Sequence, residues 1–126
     1  MKYLLILATV LVTGCSFMAR FDNVQYNHVS TIASIAELGI PKCRTNAGQK
    51  ELANELHVQM VYLLNYVRGV EYNAYIKSAT KGLDTIVTEF TTRVEAGPAS
   101  EQYCSIKMRV IMETTDKIQS ALGNGQ

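Results

Sequence analysis

Apolar residues recur every three or four positions along most of the chain, which is the spacing of an amphipathic helix. None of the segments shows the strict alternation of apolar and polar residues that a half-buried strand requires. The pattern therefore predicts an all-α protein: a small antiparallel up-down bundle of four helices, or of three if a long one is kinked. We expect the bundle to occupy residues 21–122 and to be followed by a flexible tail at 123–126.

The first predicted helix runs from about Phe21 to Leu38. Its apolar stripe consists of Phe21, Val24, His28, Ile32, Ile35 and Leu38. Gly39 and Pro41 are predicted to end the helix, the glycine by a left-handed cap and the proline by its missing amide. A polar loop at residues 42–48 should then lead into the second helix.

A break between the second and third helices is predicted from helical phase. One stripe consists of Leu52, Leu56, Met60, Leu63 and Val67, and the next of Tyr72, Ile76, Ala79, Leu83, Ile86, Phe90 and Val94. At about 100° per residue the two stripes are roughly 200° out of phase, so one straight helix cannot bury both on the same side. We place a turn or strong kink near Gly69, because glycine leaves helical dihedrals most easily. Gly82 is the rival position, but the second stripe passes through it in phase.

The fourth predicted helix has the clearest boundaries. Gly97-Pro98-Ala99 should close the third helix, and Ser100 is a good cap for the fourth. The buried side of the fourth helix is expected to consist of Cys104, Met108, Ile111, Thr115, Ile118 and Leu122.

The start of the chain has the order of a secretory signal. Lys2 supplies a positive charge, an apolar run extends from Leu4 to Val12, and small residues precede Cys15. The run is about half of the ~20 apolar residues that a membrane-spanning helix needs. Val12-Thr13-Gly14-Cys15 resembles a bacterial lipobox, with Val where Leu is commoner. An ordinary signal peptide with an incidental cysteine is the alternative.

The resemblance implies that residues 1–14 are removed and that Cys15 becomes the lipidated amino terminus. It would carry a diacylglyceryl thioether and an N-acyl group such as palmitate, and several acyl chains suffice for stable anchoring. Residues 15–20 would form a short tether. Ser16 follows the cysteine where Asp would retain lipoproteins of this kind in the inner membrane. We therefore expect the outer membrane of a Gram-negative cell, on its periplasmic face.

Two cysteines remain after Cys15, and an even pair in an oxidising compartment favours a disulfide between Cys43 and Cys104. An up-down connection would place both at one end of the bundle, because Cys43 precedes helix two and Cys104 begins helix four. Two free thiols or a metal pair are the alternatives. The only histidines, His28 and His57, do not lie at ligand spacing from a cysteine, so no metal is expected.

Composition and motifs exclude several classes of function. The 126 residues, 48% of them hydrophobic, can bury one core. Loss of Lys2 would reduce the 12 basic residues by one and balance the 11 acidic ones, so no nucleic-acid partner is expected. The sequence has no Gly-rich phosphate loop, no Gly-x-Ser-x-Gly elbow and no His-Glu-x-x-His pair. We expect no catalytic residues, no enzymatic activity and no cofactor beyond the covalent lipid.

Tyrosines gather around the predicted turn at Gly69. Tyr62, Tyr66, Tyr72 and Tyr75, together with Arg68, form the predicted contact patch. Tyrosine combines an apolar body with a polar tip, which suits a lipid headgroup region or a protein interface. The alternative is that most of these rings cap the end of the core.

The expected function is a non-catalytic interaction module that holds, pilots or blocks another envelope protein. In layout the chain is similar to secretin pilotins and to small phage or prophage lipoproteins that block receptors or assist lysis. The lipobox is the only motif behind that similarity, so no residue roles carry over. A carrier of lipid or another small apolar molecule within the bundle is the alternative. Partner identity and oligomeric state cannot be predicted from the sequence.

Overall fold

The computed structural model describes residues 22–71 and 74–123, which form four α-helices. They are α1 (Asn23–Gly39), α2 (Asn46–Arg68), α3 (Ala74–Glu95) and α4 (Glu101–Gly123), and a 3-10 turn at Ile40–Arg44 joins α1 to α2. The described ranges contain no strand. The predicted all-α class and the break near Gly69 are confirmed, and α3 runs through Gly82 without interruption. The predicted signal peptide at 1–14 and tether at 15–20, the predictions for Cys15, Phe21 and Tyr72, and residues 124–126 of the predicted tail lie outside the described ranges. Gly123, predicted to begin the tail, is the last residue of α4.

The four helices pack as an antiparallel bundle in which each contacts two neighbours. Helices α1 and α3 each pack against both α2 and α4. One end of the bundle, called the Asp22 end, holds the start of α1, the end of α2, the start of α3 and the end of α4. The opposite end, called the disulfide end, holds the 3-10 turn and the α3–α4 connection. This is the predicted up-down order.

Three of the four helices bury the sides that the apolar spacing predicts. The six residues predicted for α4 are all buried. Helix α2 buries Leu52, Leu56, Met60 and Leu63 as predicted, and α3 buries Ile76, Leu83, Phe90 and Val94. The largest of these side chains, Phe90, is fully buried in the core cluster. Burial of such side chains contributes about 1.5–3 kcal/mol each, which makes this core the main source of stability.

Helix α1 is the exception, because it is rotated relative to its predicted stripe. Its buried residues are Gln25, Val29, Ile32, Ala36 and Gly39. Val24 and Leu38, which were predicted to be buried, are 47% and 74% exposed. Small residues on the buried side let α1 approach α2 closely: a Cβ added at Gly39 would overlap the Leu52 side chain. The spacing of apolar residues does not predict a close contact made by a glycine.

The predicted left-handed cap at Gly39 is wrong. Gly39 has right-handed dihedrals (φ −81°, ψ −14°), and the chain continues directly into the 3-10 turn. Pro41 lies in the first turn of that element, where its missing amide leaves no hydrogen bond unmade. The predicted loop at 42–48 is therefore largely structured, and the Thr45 hydroxyl caps α2 by accepting from the Gly48 amide at 3.0 Å.

The structure confirms the predicted end of α3 and start of α4. Gly97 has φ +141°, the only positive φ in the described residues. The Ser100 hydroxyl accepts a hydrogen bond from the Tyr103 amide at 3.0 Å and so caps α4 as predicted. Beside it, Cys43 and Cys104 form the predicted disulfide, with their Cα atoms 5.5 Å apart.

Candidate interaction surface

The outer side of α1 and α2 is free of charged residues over much of its length. Residues 23–36 and 56–67 contain no Asp, Glu, Lys or Arg, although charged residues make up 18% of the chain. We call the outward-facing side chains of these two ranges, with Leu38 at the edge, the α1–α2 face. Depletion of charge is the compositional mark of the core of a protein interface. The face is therefore the first candidate for partner contact.

Large apolar side chains are exposed on the same face. Leu38 and Tyr62 are 74% and 55% exposed, and Val24, Val58 and Val61 are also solvent-accessible. The other exposed large hydrophobic residues within the described ranges are Tyr75, Ile106 and Val110, on α3 and α4. Single exposed apolar residues need no explanation, but several together on one face make that face a candidate interaction site.

A groove follows the seam between α1 and α2. Its larger part has a volume of about 500 Å³ and is lined by Asn27, Ser30, Thr31, Ser34, Ile35, Leu38, Lys42 and Glu55. A second hollow of about 370 Å³ shares Ile35 and Glu55 and continues past Val58 and Gln59 of α2. The two hollows meet at Ile35 and Glu55 and make one elongated depression. Helix α1 contributes small polar residues together with Ile35 and Leu38, and α2 contributes Asn54, Glu55, Val58 and Gln59.

A charged cluster closes the groove toward the disulfide end. The Lys42 ammonium donates to the carboxylates of Glu51 at 3.1 Å and Glu55 at 3.2 Å. These hydrogen bonds raise the pKa of Lys42 above its usual value of 10.5, so the side chain is charged at neutral pH. Two carboxylates around one ammonium leave one negative charge in excess. The groove is thus neutral along its length and weakly acidic at this end.

At the opposite end Tyr66 ties α2 to the start of α1. Its hydroxyl contacts both carboxylate oxygens of Asp22, at 2.9 and 3.1 Å, and its ring lies 5.8 Å from that of His28. The Asp22 carboxylate also caps α1 by accepting from the amides of Val24 and Gln25. This contact holds the start of α1 against the last turns of α2.

The remaining members of the predicted contact patch do not share one side of the bundle. Tyr62 precedes Tyr66 by one turn and so lies on the α1 side of α2. Tyr75 precedes Arg93 by five full turns, and Arg93 reaches the Tyr103 ring of α4. Tyr75 therefore lies on the α4 side of α3, and it is 56% exposed. Arg68 is exposed in the last turn of α2.

Two glutamine side chains lie inside the bundle and were not singled out from the sequence. Gln25 is fully buried; its amide donates to the Thr80 hydroxyl at 3.5 Å, and its Oε1 has no hydrogen-bond partner. Gln49 is almost fully buried and bonds backbone groups of Cys43 and Ala99. A glutamine at a position that continues an apolar helical spacing is the signal that could have found them.

Other candidate chemistry is sparse in the described residues. No group of three His, Cys, Asp or Glu side chains there is placed to hold a metal ion. His57 lines a separate groove of about 360 Å³ between α2 and α3, together with Lys50, Asn54, Thr91 and Glu95. Within the described ranges no helix has the length and apolar character needed to cross a membrane.

No protein-family model, curated protein or solved structure matches this chain.

Proposed function

We propose that the protein is a membrane-anchored, non-catalytic interaction module of the bacterial envelope. Through the α1–α2 face it would hold, pilot or block another envelope protein. The observation that carries this proposal is the coincidence on one face of missing charge, exposed apolar side chains and an elongated groove. Protein interfaces combine these three properties, whereas a purely solvated helix pair has charged residues on its outer side.

The anchor in this proposal is an acylated Cys15 in the outer membrane. Its support is the lipobox-like Val12-Thr13-Gly14-Cys15 after a short apolar run. Only six residues separate Cys15 from Asp22, and the seven steps between the two Cα atoms span at most about 25 Å at full extension. A bundle on so short a tether would work next to the bilayer.

A labelling experiment tests the anchor. Cells fed a clickable palmitate analogue should label the wild-type protein, and Cys15→Ala should lose the label and remain uncleaved or become soluble. Cys43→Ala with Cys104→Ala is the control, since it removes the other two cysteines and should keep the label. Undiminished labelling of Cys15→Ala would contradict the anchor.

A pair of matched substitutions tests the face. Val58 on α2 is 38% exposed and Val110 on α4 is 36% exposed, so a glutamate at either site meets a similar environment. In cells that naturally make the protein, chemical crosslinking of the wild type should give a specific adduct with an envelope protein. Val58→Glu should reduce that adduct at least fivefold, whereas Val110→Glu should leave it within twofold. Equal effects of the two substitutions would contradict the assignment of the face.

A further inference from the structure

We infer that the partner segment bound by the α1–α2 face is one amphipathic helix of about four turns. Its contacting side carries no charged residue, and its end nearest the disulfide carries Lys or Arg. This inference rests on the proposed function and deepens it by naming the kind of segment that binds. The shape of the groove indicates a helix, its neutrality indicates an uncharged contact side, and the charge at the disulfide end indicates a basic residue.

The shape of the site fits a helix. Two antiparallel helices packed side by side leave a linear furrow, and a third helix packs into such a furrow at near-parallel angles. The charge-free ranges 23–36 and 56–67 extend for about 21 Å and 18 Å at 1.5 Å per residue. A helix covering that length has about four turns and presents apolar residues at i, i+3 or i+4, i+7 and i+11.

The chemistry of the furrow requires a neutral contact side. Thr31 donates its hydroxyl to the Asn27 carbonyl at 3.0 Å, so its one side-chain donor is already used within α1. Ser34 and Ile35 offer a small hydroxyl and an apolar surface in the same groove. A charged partner residue covered here would lose its hydration without gaining an opposite charge, which is unfavourable. Uncharged residues lose much less hydration free energy when they are covered.

The disulfide end of the furrow sets the partner's charge. Lys42, Glu51 and Glu55 leave one negative charge in excess, and the Glu51 side chain is 59% exposed. A Lys or Arg at that end of the bound helix would complement it. A second copy fits less well, because two tethered copies stand parallel on one membrane and would bring their Glu51 and Glu55 to the same height. Like charges so placed repel.

Photo-crosslinking in the cells that naturally produce the protein tests this directly. A photoreactive amino acid is placed at Thr31 or Val58 in the full-length protein, with Val110 as the control position of equal exposure. Peptides joined to each position are then sequenced by mass spectrometry. We expect Thr31 and Val58 to crosslink to one segment of another protein, at least tenfold above Val110. That segment should show the four-turn apolar spacing, no charged residue on that side, and Lys or Arg at one end.

Each other result overturns the inference in a distinguishable way. Crosslinks to the protein's own peptides would mean a second copy, and crosslinks to lipid alone would mean a membrane surface. A segment with charged contact residues or strand-like alternation would also overturn the helix while leaving the interaction module intact. Equal yields at Val58 and Val110 would overturn the module itself.

Removal of the acidic charge tests the predicted orientation. Glu51→Gln with Glu55→Gln should lower the crosslinking yield from Val58 about fivefold and should shift the basic end of the segment away from that site. Glu113→Gln is the control, because Glu113 is an exposed acid on α4 that also pairs with a lysine, Lys117. An unchanged yield in the double variant would overturn the basic end of the partner helix.

Discussion

At the scale of single residues, Gln49 joins two backbone segments at the disulfide end. The spacing of apolar residues does not predict this role. Its side-chain amide donates to the carbonyls of Cys43 at 2.9 Å and Ala99 at 2.8 Å, and its Oε1 accepts from the Ala99 amide at 3.0 Å. One buried side chain thus satisfies backbone groups of both the 3-10 turn and the α3–α4 connection. Gln49→Leu would leave all three without a partner.

We expect Gln49→Leu to lower the free energy of unfolding by about 3 kcal/mol, because each unsatisfied buried group costs about 1–3 kcal/mol and some regain water. Urea denaturation followed by circular dichroism measures this. Gln102→Leu is the control, since Gln102 is exposed on the first turn of α4 and should change stability by less than about 0.5 kcal/mol. A loss below about 1 kcal/mol for Gln49→Leu would contradict the bridging role.

The disulfide beside Gln49 makes a separate contribution. Cys43 and Cys104 are 61 residues apart in sequence, and a crosslink of that length restricts the unfolded chain by roughly 4 kcal/mol in the chain-entropy model. Cys43→Ala with Cys104→Ala should therefore lower the urea midpoint strongly. Reduction of the wild type should lower it by a similar amount. An unchanged midpoint on reduction would show that the bond is not formed in the protein.

At the scale of secondary-structure elements, α4 and α1 show where apolar spacing succeeds and where it fails. Helix α4 has a glycine and proline before it, a serine cap, and large apolar residues on its buried side, so boundaries and face were both predictable. The buried side of α1 instead contains Gln25, Ala36 and Gly39, which carry little apolar signal. Val24 and Leu38 are more strongly apolar, so the spacing pattern selects them for the buried side. In the structure they lie on the α1–α2 face instead.

The same misassignment shows what sequence could and could not reveal about the site. An exposed leucine and a buried one look identical in the sequence, and which side of α1 faces inward depends on packing contacts such as the close approach of Gly39 to Leu52. The disulfide was predictable because only two cysteines remain after Cys15, and the predicted topology places both at the same end of the bundle. The α1–α2 face was not, because it joins residues from two helices whose relative rotation follows from packing.

Matched truncations within α1 test its rotation. Ile32 is fully buried, so Ile32→Ala should cost about 2–5 kcal/mol of unfolding free energy through lost contacts and the cavity left behind. Leu38 is 74% exposed, so Leu38→Ala should change stability by less than about 0.5 kcal/mol. Thermal or urea unfolding of both variants measures the difference. Similar losses of unfolding free energy in the two variants would mean that Leu38 is buried, as the apolar spacing of α1 predicts, and would contradict the rotation seen in the structure.

At the scale of the whole molecule, bundle geometry and tether length together would set the orientation of a protein that is anchored to a membrane as proposed. The chain enters at Asp22, which Tyr66 holds against the end of α2. With at most about 25 Å of tether from Cys15, the Asp22 end would be the one near the bilayer. Helix α4, with 23 residues, is about 34 Å long, so the disulfide end would stand that much farther out. Upright orientation would leave the α1–α2 face open to a partner.

Energy transfer to membrane acceptors distinguishes an upright bundle from one lying on its side. The lipidated protein is reconstituted into vesicles containing an acceptor-labelled lipid, with a fluorescent amino acid at Tyr75, near the Asp22 end, or at Gln102, near the disulfide end. Transfer should be strong from position 75 and several-fold weaker from position 102, because the two sites differ by about 30 Å along the bundle axis. Equal transfer would mean that the bundle lies flat. If a third fluorescent amino acid, placed at Val58, were then quenched most strongly, the α1–α2 face would contact lipid, and its exposed valines and Leu38 would be explained by the membrane instead of a protein.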